Sequence, residues 1–247
     1  MTMTKWALIT GGAKRIGKAI AIRLHQSGYN IALHYNSAQR DAQTLAAQLN
    51  QQRTGSCRLF QANLASEQEI KTLVEAVNCE LTLSVLINNA SVFHPDPEIA
   101  NWQDSQHLLT TNLIAPYLLA QGLAPNLASQ SGCIINLVDI HGDRPLKGHG
   151  LYSISKAGLN MATRALAQEL SPAVRVNGIS PGAILWPSGS ETDTVTKVIN
   201  EIPMKRPGTP EDIAYTVDFI LNSPYLNGQI IAIDGGRSAT GYTGADG

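Results

Sequence analysis

Hydrophobic positions in this chain fall in short, nearly continuous runs rather than in strict alternation. The runs 6–10, 30–35, 57–61, 84–88, 133–138, 173–179 and 229–233 have strand length and few polar interruptions. A strand with one wet face alternates and one covered on both faces does not, so these read as strands of a parallel sheet. Between them lie stretches of helical length at 16–27, 38–52, 67–78, 103–127, 152–170 and 210–221. Regular alternation of strand and helix calls for right-handed crossovers, and predicts an α/β fold with a doubly wound, seven-stranded parallel sheet. Helix starts carry suitable chemistry: Ser66 stands three residues before Glu69, and Thr209-Pro210-Glu211-Asp212 supplies a capping hydroxyl, a first-turn proline and two acids. No linker-like stretch divides residues 1–247, which predicts a single domain. The least regular stretches are 93–101 and 184–198, loops of the kind that bind ligands at the carboxyl edge of such a sheet.

Composition narrows the picture only a little. With 43% hydrophobic, 15% charged and 5% aromatic residues, the chain suits a soluble globular protein with an aliphatic core. A formal net charge of -1 advertises no nucleic-acid partner. The first residues lack the charged segment, long apolar run and cleavage site of a signal peptide, and no run is long enough to span a membrane. Three cysteines at unrelated spacings, Cys57, Cys79 and Cys133, argue against a disulfide framework and for a reducing compartment, so a cytoplasmic protein is expected. The six histidines show no metal-ligand spacing, and no metal is expected.

The first predicted strand runs into Thr10-Gly11-Gly12-Ala13-Lys14-Arg15-Ile16-Gly17 and then directly into a helix. Glycine permits a tight turn and close backbone approach to phosphate, while the helix N-terminus adds free N–H groups and partial positive charge. Two glycines in a turn say little alone; between the first strand and the first helix they point to a dinucleotide site. Lys14 and Arg15 put two cations at that turn, the alternative being two solvated surface residues. The second strand ends His34-Tyr35-Asn36-Ser37, with no carboxylate before Asp41. NAD-binding folds usually carry an acid there for the ribose 2′-hydroxyl. Its absence removes a repulsion that a 2′-phosphate would feel, and Asn36, Ser37 and Lys14 can donate hydrogen bonds, so NADPH is the expected cofactor.

Tyr152-Ser153-Ile154-Ser155-Lys156 opens a predicted helix, and a spacing of four puts phenol and ammonium on one face. An ammonium beside a phenol stabilises the phenolate and readies the tyrosine to transfer a proton. By itself the pair reads equally as a helix surface pair. Around it stand Asn88-Asn89-Ala90 after the fourth strand, Asn112 in the next helix, Pro181-Gly182 after the sixth strand and Asp234-Gly235-Gly236 after the last.

In this order and at these intervals the motifs resemble the short-chain dehydrogenase/reductase family over nearly the whole chain. The resemblance implies a Rossmann-like fold with a cofactor half at about 1–90 and a catalytic and substrate half at about 91–247. It makes Asn112, Tyr152 and Lys156 the catalytic asparagine, tyrosine and lysine, with Asn112 positioning Lys156 and a proton-relay water. It assigns cofactor contacts to Gly11, Lys14, Arg15, Ile16, His34, Tyr35, Asn36, Ser37, Asn63, Leu64, Asn89, Ala90, Ser91, Lys156, Pro181 and Gly182. Two departures stand out: Arg15 replaces the middle glycine of the turn, and Asn63-Leu64 stands where Asp-Leu is usual beside adenine.

A third departure bears on substrate. Asp139 occupies the position where most ketone-reducing members carry serine. A carboxylic acid in a closed site can hand a whole proton to a ring nitrogen or grip an aminopyrimidine; the alternative is a surface aspartate after a strand. With Asp139, the phosphate turn, Leu33-His34-Tyr35 and Asn88-Asn89-Ala90-Ser91-Val92-Phe93, the sequence is similar to the pteridine reductase subgroup. That resemblance implies a pterin stacked on Phe93, contacted by Ser91, Arg15, Asp139 and Tyr152, and a hydride from NADPH to a dihydropterin C=N bond. Dihydrobiopterin, dihydromonapterin and dihydrofolate all fit. Trp186 in the loop 184–198 reads as a cover over substrate or as a packing anchor, and His149 as a substrate contact or a helix-start residue. The rivals are a carbonyl or 3-oxoacyl-thioester reductase, which would want serine at 139, and a non-catalytic NADP(H) sensor, which would not need Asn112, Tyr152 and Lys156 together. The resemblance also implies a homotetramer joined through the helices 103–127 and 152–170, and the tail 237–247 either reaches a neighbouring site or frays.

Overall fold

The computed structural model describes residues 5–97, 101–186 and 192–239. Seven strands, β1 (Trp6–Ile9), β2 (Asn30–Tyr35), β3 (Cys57–Gln61), β4 (Leu83–Asn88), β5 (Cys133–Leu137), β6 (Arg175–Pro181) and β7 (Ile230–Ile233), pair in parallel in the order β3-β2-β1-β4-β5-β6-β7. The helices are α1 (Arg15–Gln26), α2 (Gln39–Gln52), α3 (Glu67–Glu80), α4 (Trp102–Leu109), α5 (Ala115–Ala128), α6 (Gly150–Glu169), α7 (Thr192–Glu201) and α8 (Pro210–Leu221).

Every residue of β1, β4 and β5 is buried, the expected result for strands with helices on both faces. Successive side chains feed two separate cores. Ala7 and Ile9 join Ile20, Leu24, Leu45, Leu49, Ile213 and Val217 under α1, α2 and α8. Trp6 and Leu8 join Ile70, Leu73, Val77, Leu119, Leu123 and Leu166 under α3, α5 and α6. At the edge the pattern reverts: β3 buries Cys57 and Phe60 but exposes Arg58 and Gln61. Strand order reverses between β1 and β4, so the loops leaving their carboxyl ends diverge and open a crevice there.

Two expectations are corrected. The stretch 103–127 is not one regular helix: α4 and α5 are joined by a π turn at Thr110–Ile114. Pro116, in the first turn of α5, has no N–H to donate to the carbonyl four residues back, at Asn112, so the ladder resets. The stretch 184–198 is not wholly irregular, because α7 begins inside it. Its half-buried Val195, Val198 and Ile199 fall at helical spacing, but none of its residues is fully buried and Thr192, Thr194, Val195 and Thr196 are β-branched, so propensity speaks against a helix there. Residues 187–191 of that stretch, 98–100 of 93–101, and 240–247 of the tail lie outside the described residues.

Candidate active site

The crevice is built from the loops after β1, β4, β5 and β6. At the first, Gly11 takes a positive φ of 59° and Gly12 turns back, donating its N–H to the His34 carbonyl at 3.0 Å. A Cβ on Gly17 would stand 2.5 Å from the Gly11 carbonyl oxygen and 2.6 Å from Asn89 Nδ2, so only glycine lets α1 approach the turn this closely. Arg15 holds a positive φ of 51° where the family pattern has glycine. Helix α1 has no side-chain cap and no acid in its first turn. Its free N–H groups and partial positive charge therefore face the crevice without a counter-anion, an arrangement that fits a dinucleotide's phosphates.

His34 meets the turn rather than the crevice. It is 1% exposed; the Gly11 N–H donates to its Nδ1 at 3.1 Å, so its Nε2–H must donate to the Ala62 carbonyl at 3.0 Å. Burial pushes its pKa down to about 4, partly offset by that second bond, so the imidazole is a neutral brace between β3 and the phosphate turn. Tyr35 and Leu64 are also buried and leave their backbones, not their side chains, for a cofactor. Asn36 and Ser37 are exposed at the end of β2. Close by, Lys14 pairs with Asp41 at 2.9 Å, both half-exposed. Asn63 accepts from the Ala65 N–H at 3.0 Å and forms a turn of its own.

Thr10 staples the first loop to the second. Its hydroxyl accepts the N–H groups of Asn89 (2.9 Å) and Ala90 (3.0 Å), while Asn89 Nδ2 donates to the carbonyls of Thr10 (2.8 Å) and Gly11 (3.1 Å). The carboxamide of Asn112, fully buried in the π turn, binds the next residues: its Oδ1 accepts from Val92 N–H (2.8 Å) and Ser91 Oγ (3.1 Å), and its Nδ2 donates to the Val92 carbonyl (2.9 Å) and Ser155 Oγ (3.2 Å). Its side chain thus anchors the loop after β4 and, through Ser155, meets the helix that carries Lys156.

Tyr152 and Lys156 project from the first turns of α6 under the end of β5. Tyr152 Oη donates to Asp139 Oδ2 at 2.8 Å, while Asp139 Oδ1 accepts the His141 N–H at 2.8 Å and so is held in place. Lys156 is 2% exposed and donates to the Leu137 carbonyl at 3.0 Å, with its Nζ 5.6 Å from the Tyr152 ring centre. Burial lowers the Lys156 pKa to about 8, partly offset by Asp139. Burial, then the Asp139 charge and its hydrogen bond, raise the Tyr152 pKa, opposite to the sequence expectation. Burial comes first and contact adds to it: the phenol oxygen meets a carboxylate that favours the neutral phenol, not the ammonium that would favour phenolate.

Phe93 is 46% exposed, stacks on His149 (4.6 Å between ring centres, 12° between planes) and meets Tyr152 edge-on at 4.8 Å. From the opposite wall, Arg15 reaches across to the Leu185 carbonyl at 3.3 Å, linking the phosphate turn to the loop that carries the half-buried Trp186. Pro181 and Gly182 close the floor: a Cβ on Gly182 would lie 2.6 Å from Asp234 Cβ, so the loops after β6 and β7 touch there. Thr10, Ser155 and Asp96 were missed in the sequence. Thr10 had a signal, standing just before the glycine pair; Ser155 and Asp96 had none, because their partners lie far off in sequence.

A parallel sheet with a glycine turn at its switch point and a Tyr/Lys helix beside it defines an NAD(P)-dependent oxidoreductase. A family model described as "Enoyl-(Acyl carrier protein) reductase" matches residues 11–238, and the chain belongs to the short-chain dehydrogenase/reductase family. It is similar to "Pteridine reductase 1" of Leishmania tarentolae, with 33% identity covering 95% of this chain and 96% of that one. It is likewise similar to "3-oxoacyl-[acyl-carrier-protein] reductase FabG" of Staphylococcus aureus (32%, covering 96% and 99%) and to "Uncharacterized oxidoreductase YmfI" of Bacillus subtilis (32%, covering 95% and 99%).

Proposed function

We propose that this protein is an NADPH-dependent pteridine reductase, reducing a dihydropterin to its tetrahydro form. The observation that carries this is the 2.8 Å bond from Tyr152 to the Asp139 carboxylate, beside the open face of Phe93. A serine there would donate to a carbonyl; a carboxylate accepts from the N–H groups of an aminopyrimidine and passes a proton to a ring nitrogen. Phe93 offers a flat heterocycle a stacking face. Ser91, whose hydroxyl donates to Asn112, and Arg15, which donates to the Leu185 carbonyl, would contact the same substrate, with Trp186 covering it.

Glycines 11 and 17, Lys14, Asn36, Ser37 and the α1 N-terminus would hold the coenzyme's phosphates, Asn63 and Leu64 its base, and Lys156, Asn89, Ala90, Pro181 and Gly182 its nicotinamide end. The bound coenzyme supplies the hydride. The proton comes from the chain: it leaves Tyr152 Oη, passes through Asp139 Oδ2 and reaches the substrate nitrogen. Lys156, its ammonium 5.6 Å from the Tyr152 ring centre, would favour the phenolate by charge at a distance, and the phenol gives up its proton only as the substrate nitrogen takes one from Asp139. Dihydrobiopterin, dihydromonapterin and dihydrofolate are the candidate substrates. The enzyme acts as a homotetramer in the cytoplasm, a reading supported by Ile114, Ile154 and Met161, exposed on the joining helices, and by three free cysteines.

A second reading, a 3-oxoacyl-thioester reductase, is supported by the similarity to the Staphylococcus aureus protein at nearly the same identity. The two part at residue 139. Asp139→Ser is expected to cut dihydropterin turnover about a hundredfold, in the range of a lost proton donor, with NADPH affinity within about twofold. Unchanged dihydropterin turnover in Asp139→Ser would overturn the role given to the carboxylate.

A further inference from the structure

Helix α6 carries Tyr152 and Lys156, yet its own N-cap residue does not cap it: His149 makes no side-chain cap bond. The cap comes from another loop. Asp96 accepts the Gly150 N–H at 2.5 Å and the Leu151 N–H at 3.3 Å, and its own N–H donates to the Gly148 carbonyl at 2.8 Å. Gly150 lets the carboxylate in, since a Cβ there would stand 3.2 Å from Asp96 Oδ2. A negative charge on free N–H groups at a helix start is favourable in both charge and hydrogen bonding.

Asp96 lies three residues after Phe93, in a stretch without regular backbone structure from 91 to 97. That stretch is tied at two points: Asn112 grips Val92 on one side, and α6 grips Asp96 on the other. Between the two ties, Phe93 stacks on His149 and stands edge-on to Tyr152. With one tie cut, several backbone bonds regain their freedom, and a single ring stack has to hold the loop against that entropy.

We propose that Asp96 is a positioning residue that latches the Phe93 loop onto the start of the catalytic helix and so fixes the aromatic wall, Phe93 backed by His149, against which substrate lies. The proposal rests on the reading of Phe93 as a stacking face for a flat substrate, but its geometry can be read without one. In the free protein, histidine ring signals assigned by a His149→Asn variant report the stack. The His149 signals are expected to carry a ring-current shift that disappears in Phe93→Ala and in Asp96→Ala and survives in Asp96→Asn, which keeps an acceptor oxygen.

With whichever substrate the wild type turns over, Asp96→Ala is expected to raise KM about tenfold while kcat stays within about threefold. In a Phe93→Ala background the same change is expected to raise KM no more than about twofold, because the latch then has nothing to place. The melting temperature falls by a similar amount in both backgrounds, since the helix loses its cap either way. A His149 shift retained in Asp96→Ala, or an equal KM rise in both backgrounds, would overturn the proposal and leave Asp96 an ordinary cap. Turnover of thioesters alone would sink the pterin reading while the ring-current result still judged the latch.

Discussion

Tyr152 donates its phenolic hydrogen to Asp139 while Lys156 turns its ammonium to the Leu137 carbonyl. With its pKa held at about 8, Lys156 loses its charge within reach of physiological pH, and with it the means to stabilise phenolate. kcat/KM is therefore expected to fall above about pH 8, as that profile reports groups of the free enzyme. Asp139 pushes the Lys156 pKa up, so removing its charge in Asp139→Asn should move the alkaline limb to lower pH; a limb that stays put or moves upward in the pH–rate profile contradicts the coupling. The sequence points to these residues because chemistry restricts which side chains can do such work. Their bonding it does not show. A helical spacing of four puts Tyr152 and Lys156 on one face, yet which oxygen the ammonium meets depends on β5, and the phenol's partner on the loop after it.

At the scale of elements, the turn after β1 is a junction rather than a loop. Gly17 lets α1 approach, Thr10 holds the loop after β4, and His34 braces Gly11 from β2. Gly17→Ala puts a methyl against the Gly11 carbonyl and Asn89, and is expected to weaken dinucleotide binding at least about tenfold, measured by coenzyme fluorescence titration. His34→Ala removes both bonds of the brace from a buried site and should lower stability by roughly 1–3 kcal/mol in urea unfolding, by leaving buried groups unpaired. Strands and most helices were legible because double burial imprints continuous apolar runs and amphipathic helices imprint their period. The π turn and α7 were not: the first follows from the missing N–H of Pro116 within an otherwise helical pattern, and in the second a run of β-branched residues masks the helical period of the half-buried Val195, Val198 and Ile199.

The whole molecule carries a cost for its site. A lysine pKa lowered on folding means that the unfolded chain binds more protons across the window from about pH 8 to the ordinary lysine range. The penalty is full below about pH 8 and is relieved as pH rises through that window. Stability of the wild type relative to Lys156→Met, from urea unfolding, should therefore rise between about pH 7 and about pH 10; a difference flat in pH would contradict a buried, charged Lys156. Among the described residues no helix is long and apolar enough to cross a membrane, and no group of three or more His, Cys, Asp or Glu side chains stands where it could hold a metal ion. The fold was open to reading from motifs in register, but the substrate was not, because in the proposed function it would be set by a few side chains that different loops bring together: Asp139, Phe93, His149 and Arg15. The most direct measurement is NADPH oxidation by the wild-type protein against dihydrobiopterin, dihydromonapterin, dihydrofolate and a 3-oxoacyl thioester. Turnover of at least one of the pterin or folate substrates in clear preference to the thioester is the predicted result; turnover of the thioester alone would contradict the account.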